Sequence, residues 1–422
     1  MTTQAESGRG DSRHIAIVGA GVIGMATACF LQEDGHRVTV VDRQAPGMGC
    51  SWGNSGGIGV TSIPPLSSPG VLRKVPGWLF DPNGPLALKW SHLPRLAPWL
   101  LRFARAGRME EVERITDAMN ALLSPSYEVW RPLFSVAGLD NLVHHTGVIH
   151  LYTDRAAFEG DALQWKLRKD RGIPYETVDR EALLRMEPDI GPAYDFAVYE
   201  EVWRHVGDPF LIVDGLARYF AAQGGEIRRA TVTGFDSADG KVTALRTESG
   251  DVTADDFVVA AGAWSHRLSK MLGSPAPQES QRGYHVGLPN PGVEVRHIMM
   301  DTVGKHAITP MVMGLRLGGT SEFAGLDSPP NWRRARAIVE NAKRIFPGLN
   351  TEGYSQWAGD RPLLPDSMPV ISPSPHRRNV YYAFGHSHIG LASGAVTGRA
   401  VSDLIAGRKP ALDLHPFRID RF

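Results

Sequence analysis

The stretch from His14 to Asp42 constrains this chain more than any other. It opens with His14-Ile15-Ala16-Ile17-Val18, a short apolar run that predicts a strand buried on both faces. Gly19-Ala20-Gly21-Val22-Ile23-Gly24 follows at once, and the small residues from Met25 to Leu31 predict a helix ended by Gly35. Val38 to Val41 predict the returning parallel strand, closed by Asp42. In such a unit Gly19 makes the tight turn, Gly21 admits the backbone to a pyrophosphate, and Gly24 lets the helix pack on the strand. The helix N-terminus then presents free N–H groups and a partial positive charge suited to phosphates, which makes Val22 and Ile23 cofactor candidates with the three glycines.

A Gly-x-Gly-x-x-Gly run alone is weak evidence. Here a strand precedes it, a helix follows it, and an acid ends the second strand, which is the context the motif requires. The Asp42 carboxylate would accept hydrogen bonds from a ribose diol and repel a 2′-phosphate, which disfavours NADP. The unit predicts a dinucleotide site.

At 422 residues the chain is long enough for two or three domains, and its 42% hydrophobic and 21% charged residues are ordinary for a globular enzyme. Lys plus Arg and Asp plus Glu both total 45, so net charge gives no reason to expect nucleic acid or an anionic membrane as partner. Two cysteines, Cys29 and Cys50, make neither a disulfide framework nor a metal site. Cys29 falls inside the first helix as a core residue, and a reducing compartment is expected. Met1 to Arg13 is polar, without the apolar core of a signal peptide, and reads as a disordered lead-in. No run approaches the roughly 18 apolar residues of a membrane span. Leu93 to Phe103 mixes apolar and aromatic residues with Arg. It reads first as a helix on the protein's own core, with peripheral attachment at a membrane left open. The expected location is cytoplasmic, at the inner face of the membrane if that attachment holds.

After Asp42-Arg43 comes Gly47-Met48-Gly49-Cys50-Ser51-Trp52-Gly53-Asn54-Ser55-Gly56-Gly57-Ile58-Gly59. This is a poor helix and a poor strand, but a loop able to lie along a flat ligand. Because it leaves the strand that ends at the ribose carboxylate, it should run along the cofactor.

The two motifs together, Gly19 to Gly24 with Asp42 and then Ser51 to Gly57, resemble the FAD-dependent D-amino-acid oxidase superfamily. The Asn-x-Gly-Gly form of the loop resembles its bacterial D-amino-acid dehydrogenases, including members that act on D-hydroxyproline. The resemblance implies FAD. Some relatives attach flavin covalently through a His in this loop or a Cys near the C-terminus. Gly53 stands at the position of that His and no Cys follows Cys50, so non-covalent FAD is implied.

From Pro64 to Val206 no second nucleotide signature occurs; Met109 to Leu133 is helical in pattern, and Gly147 to Tyr152 and Asp195 to Tyr199 alternate like strands. Antiparallel strands with intervening helices suit a substrate domain inserted into the first. Tyr152, Tyr199, Glu200 and Trp203 could equally line a pocket or belong to the sheet. Gly207-Asp208-Pro209 starts a helix, and Glu226 to Val232 returns as a strand. An apolar strand from Asp255 runs into Ala260-Ala261-Gly262-Ala263-Trp264, a side-chain-poor backbone suited to contact with a dinucleotide. By resemblance this segment closes the FAD sheet, Val232 contacts adenine, and Arg43, Ala261, Gly262 and Trp264 border the cofactor.

The expected fold class is therefore α/β (α+β): a Rossmann-like FAD-binding domain with an inserted antiparallel-sheet substrate domain. The FAD-binding domain takes residues 12–64, 207–266 and 355–422; the substrate domain takes 65–206 and 267–354. Gln281 to Leu288, His306 to Pro310 and Leu315 to Phe323 predict strands behind the flavin, which makes Tyr284, His285 and His306 active-site candidates. As lone residues they could equally be structural.

Trp357-Ala358-Gly359-Asp360-Arg361-Pro362 resembles the family's Gly-x-Arg-Pro signature, in which the Arg grips the substrate carboxylate. A guanidinium offers the planar fork such a grip needs. Tyr381 to His386 leads into a final helix, about Ile389 to Ala406, with Gly390, Gly394 and Gly398 at spacing four. Its N-terminus is expected at the flavin's pyrimidine end, where the helix dipole stabilises negative charge. Gly385, Ile389 and Gly390 are cofactor candidates on that ground, and His386 joins Arg361, Tyr284 and His306 as catalytic candidates.

No second Gly-x-Gly-x-x-Gly exists, so the organic substrate is the expected electron donor. The resemblance implies hydride transfer from the substrate Cα to FAD and hydrolysis of the resulting imine, with D-amino acids as substrates and D-proline-type cyclic amines among them. A quinone or an electron-transfer protein is the expected final acceptor. Oxidation of 2-hydroxy acids, or service as the flavin subunit of an electron-transfer complex, stay open as alternatives.

Overall fold

A computed structural model describes residues 12–422 apart from 82, and the side chains of 72–74 and 76 are outside the description. Most of the expected N-terminal lead-in, residues 1–11, also lies outside the described residues.

The apolar run His14–Val18 becomes the third strand of a six-stranded sheet. Its order is Glu226–Arg229, Arg37–Asp42, His14–Val18, Asp256–Val259, Val380–Phe384 and Val370–Pro373. All neighbours are parallel except the last pair. Because side chains alternate along a strand, Ile15 and Ile17 enter a core of helices while Ala16 and Val18 enter a second core. Helices Val22–Glu33, Pro209–Ala222 and Gly390–Ile405 build the first. The three-stranded sheet of Val232–Ala238, Lys241–Thr247 and Val252–Thr253 builds the second. Asp208 caps the middle helix by accepting the Phe210 N–H at 2.8 Å, with Pro209 at its first position. The glycine stripe sets the final helix tight against the first. A Cβ on Gly398 would stand 2.8 Å from the Thr27 nitrogen, and one on Gly394 2.8 Å from the Trp130 ring.

The second layer is a nine-stranded sheet. Its path runs Ser355–Leu363, Glu279–Leu288, Gly314–Phe323, His306–Met311, Ile298–Asp301, Val148–Tyr152, Phe196–Glu200 and Glu176–Asp179, with Leu86–Leu88 beside Gly314–Phe323. One face is sealed by helix Arg333–Ile345 over Val286, Ile308 and Leu317. The other face looks toward the glycine-rich loop. Ser355–Leu363, which the sequence reading groups with the FAD-binding domain, pairs in this nine-stranded sheet with Glu279–Leu288. Across that pairing Asp360 accepts from Ser280 Oγ at 2.6 Å and pairs with Arg282 at 3.1 Å. The helical pattern from Met109 to Leu133 resolves into two helices, Met109–Leu123 and Ser126–Val136, divided at Ser124-Pro125.

Candidate active site

The glycine turn is shaped by close approach. Gly19 has φ +114°, a region L-residues avoid, and a Cβ on it would strike the Ala260 carbonyl. A Cβ on Gly24 would overlap the Gly19 carbonyl oxygen. Helix Val22–Glu33 begins at Gly21 with no side-chain cap and no acid in its first turn. Ser51 Oγ takes the Val22 N–H at 3.0 Å, and the first helical bond comes only at Met25 N to Gly21 O, 2.9 Å. The N–H groups of Ile23 and Gly24 therefore precede the helical ladder and can receive an anion. Asp42 is fixed by accepting from Ala20 N at 2.7 Å and Gln44 N at 2.9 Å, with lone pairs left for a diol. Arg43 lies over the Trp264 ring, 3.8 Å from its centroid, and Val232 packs with Ala261 in the core below. Free helix N–H groups, a carboxylate with lone pairs to spare and a flat aromatic surface, in this order, fit FAD.

The loop after Asp42 is held in one shape. Asn54 Oδ1 accepts from Gly56 N at 2.8 Å, Thr309 Oγ1 donates to Ser55 O at 2.7 Å, and Arg316 donates to Asn54 O at 2.7 Å and Trp52 O at 3.2 Å. Gly57 and Ile58 pair with His205 and Arg204. Gly53 has a steric reason: a Cβ there would fall within the Trp357 ring. That ring stacks on His285 at 5.0 Å, and His285 stacks on Trp52 at 5.5 Å. Burial, helped by the nearby Arg316 charge, pushes His285 down to about 3, so the stack is neutral.

A cavity of about 1140 Å³ opens between this loop and the large sheet. Cys50, Gly53, Asn54 and Ser55 line one side; Gln281, Thr320, Trp357 and Arg361 line the sheet side; Ser387, His388 and Ile389 close it at the final helix. Arg361 lies across Gly283 of the neighbouring strand, where any Cβ would collide with the guanidinium carbon. Burial holds its pKa below the usual arginine value, and among the described residues no carboxylate or carbonyl hydrogen-bonds its side chain. A half-buried, unpaired guanidinium is a site for an anion. Cys50 beside it is pushed up to about 11 by burial and stays a thiol.

Three expected catalytic residues lie outside this cavity. Tyr284 faces the opposite side of the sheet, donating to Glu322 at 2.5 Å and accepting from Asn331 N at 2.7 Å. Strand parity decides this, because Gln281, Gly283 and His285 take the loop-facing side and leave Tyr284 to the helix side. His306 is displaced for the same reason: Ala307 and Thr309 face the loop, while His306 sits 3.4 Å from Asp301. His386 is tucked behind the turn with Nε2 3.0 Å from Thr397 Oγ1, and burial pushes it down to about 3. Gly385 (φ +87°), Ile389 and Gly390 form that turn and the start of the last helix. Tyr152 and Trp203 do line the cavity. Glu200 lies buried, accepting from His150 at 2.8 Å and Thr61 at 3.0 Å, while Tyr199 donates to Thr146 O at 3.2 Å. Sequence reasoning missed His388, Trp357 and Arg316. Trp357 carried a local signal, standing four residues before Arg361 on the same strand face, whereas His388 and Arg316 carried none.

Among the described residues there is no group of three potential metal ligands and no helix long and apolar enough to cross a membrane. The chain is 38% identical over 419 residues to a D-amino-acid oxidase of Bradyrhizobium diazoefficiens, covering 98% of this chain and 99% of that one. It is 32% identical over 421 residues to a D-amino acid dehydrogenase of Paramagnetospirillum magneticum, covering 97% and 98%. In fold it matches glycine oxidase from Bacillus cereus with TM-score 0.74, at 20% identity over 97% of this chain and 99% of that one. It matches an L-proline dehydrogenase from P. horikoshii with TM-score 0.75, at 18% identity over 97% and 98%. The profile of the DAO family, described as FAD dependent oxidoreductase, covers residues 14–404, and the chain belongs to that family.

Proposed function

We propose that this enzyme oxidises D-amino acids at the Cα–N bond, giving an imine that water hydrolyses to the oxo acid. The observation that carries this reading is Arg361, a half-buried guanidinium with no hydrogen-bond partner among the described residues, at the wall of a cavity that the cofactor loop also lines. Its fork would take the substrate carboxylate in two parallel hydrogen bonds and fix the α-carbon beside the cofactor. Bound FAD supplies the electron sink. Gly19, Gly21, Val22, Ile23, Gly24, Asp42, Arg43, Ser51, Asn54 and Ser55 would hold it, with Gly56, Gly57, Ile58, Val232, Ala261, Gly262 and Trp264 shaping its bed. Gly385, Ile389 and Gly390 would end that bed. Gly53 leaves no room for a covalent anchor beside Trp357, which supports non-covalent FAD.

The test is anaerobic mixing of the yellow protein with D-amino acids, L-amino acids and 2-hydroxy acids. D-amino acids should bleach the flavin absorbance, and acid precipitation should leave all flavin in the supernatant. Bleaching by 2-hydroxy acids alone would overturn the substrate reading, and flavin retained in the pellet would overturn the non-covalent one.

For the electron acceptor we propose a quinone reached from a lipid surface. Phe80, Trp90 and Leu101 are 81%, 64% and 66% exposed, and Trp90 and Leu101 stand at the cavity's edge. Arg95, Arg102 and Arg105 are exposed on the same helix, Leu93–Ala106, as Leu101. Apolar residues flanked by cations suit the interface of an anionic bilayer, each cation adding about 1 kcal/mol. The protein should sediment with anionic vesicles, and Trp90→Ser with Leu101→Ser should abolish this. Equal sedimentation of the double variant would remove the proposal.

A further inference from the structure

His388 enters the cavity beside Arg361, and the backbone holds the two together. Ser387 N donates to Pro362 O at 3.0 Å, and His386 bridges to Leu363, so the turn carrying His388 is tied to the two residues after Arg361. Ser387 takes a left-handed conformation, φ +47°, which re-aims the chain before the final helix. Its Oγ lies 3.3 Å from His388 Nδ1. With Nδ1–H donating to that oxygen, Nε2 keeps its lone pair, and among the described residues nothing else hydrogen-bonds it.

Among the described residues the other charged side chains of the cavity have partners, whereas Thr320 Oγ1 is buried with none. His150 gives Nε2 to Glu200, Arg168 is bonded to Thr61 O and Gln164 O, and Tyr152 to Trp165. Asp301 accepts from Tyr194 and Gly304, while Asp161 and Lys305 have contacts of their own.

We propose that His388 Nε2 receives the substrate nitrogen: it accepts an N–H of an ammonium whose carboxylate sits on Arg361, and then takes that proton. This rests on the reading of Arg361 as carboxylate anchor. In the step an N–H bond breaks and an Nε2–H bond forms. The nitrogen keeps the electron pair, and the imidazole carries the positive charge. The resulting neutral amine has the lone pair that can form the C=N bond when the α-hydrogen leaves with its electrons.

Electrostatics agree with this. The imidazole keeps exposed surface toward the open cavity; partial withdrawal from water and then the Arg361 charge lower its pKa, so the open site presents a neutral acceptor. A carboxylate on Arg361 cancels the second effect and raises the imidazole's proton affinity as substrate binds.

The test uses His388→Gln and His388→Ala in the FAD-loaded protein, with FAD content and spectrum as the check on folding. Stopped-flow flavin reduction by a D-amino acid at neutral pH should fall by about 100-fold in both. The deficit should shrink as pH rises toward the pKa of the free ammonium, and added imidazole should restore rate to His388→Ala. A second arm compares binding of 2-aminoisobutyrate, which has no α-hydrogen, with isobutyrate. Wild type should favour the amino compound and the variants should lose that preference. Unchanged rate and pH profile, or an unchanged binding preference, overturns the assignment. Failure of every D-amino acid to reduce wild type strikes the proposed function instead, and the binding arm still decides on His388.

Discussion

Arg361→Ala should raise KM for the amino-acid substrate by roughly 30-fold to several-thousand-fold while FAD stays bound. Removing one member of an enclosed, hydrogen-bonded charge pair typically costs about 2–5 kcal/mol, and each 1.4 kcal/mol is about tenfold. Among the described residues the guanidinium has no hydrogen-bond acceptor, so folding gains little from it while part of its hydration is lost. The variant should therefore be at least as thermostable as wild type, the opposite of what a structural arginine would give. Arg361→Lys should recover only part of the affinity, because an ammonium keeps charge but loses the planar fork. If the pair also aligns the α-carbon, kcat falls as well. Comparing an amino acid with its amide on wild type and both variants isolates the carboxylate. Undiminished preference for the acid in Arg361→Ala would mean that the anchor is elsewhere.

Gly24→Ala should yield protein with little or no bound FAD and a lowered thermal midpoint. The added methyl would occupy the place of the Gly19 carbonyl oxygen, and both colliding atoms are tied to backbone. Relief requires the helix to draw back from the strand, which withdraws the Ile23 and Gly24 N–H groups from the phosphate seat. Overpacking of this kind costs about 1–3 kcal/mol in a side-chain core and more where no rotamer can yield. Gly35→Ala is the matched control. Its φ is +89° but no atom lies within 4 Å, so it meets only the left-handed backbone penalty of about 1–2 kcal/mol and should keep its flavin. Full FAD occupancy and an unshifted midpoint in Gly24→Ala would contradict the tight packing of turn and helix.

What the sequence determined by itself is local. His14 to Asp42 contains its strand, turn, helix and terminal acid in consecutive residues, so periodicity and glycine spacing suffice to specify the unit. The cap at Asp208 and the glycine stripe from Gly390 to Gly398 are legible for the same reason. Arg361 was legible only through its resemblance to a signature, since no spacing rule gives an arginine an empty partner.

Tertiary structure decided which side chains of the large sheet meet the cavity. A strand pattern says that Gly283 and Tyr284 point to opposite faces, not which face looks at the cofactor. Pairing with Ser355–Leu363 and the cover of helix Arg333–Ile345 decided that, turning Tyr284 and His306 away and giving Arg361 the bare surface of Gly283. The Gly53 and Trp357 packing joins residues far apart in the chain, and so does the bond from Ser387 to Pro362 that sets His388 beside Arg361. Such contacts leave no trace in a single sequence because neither partner's neighbours encode the distance between them.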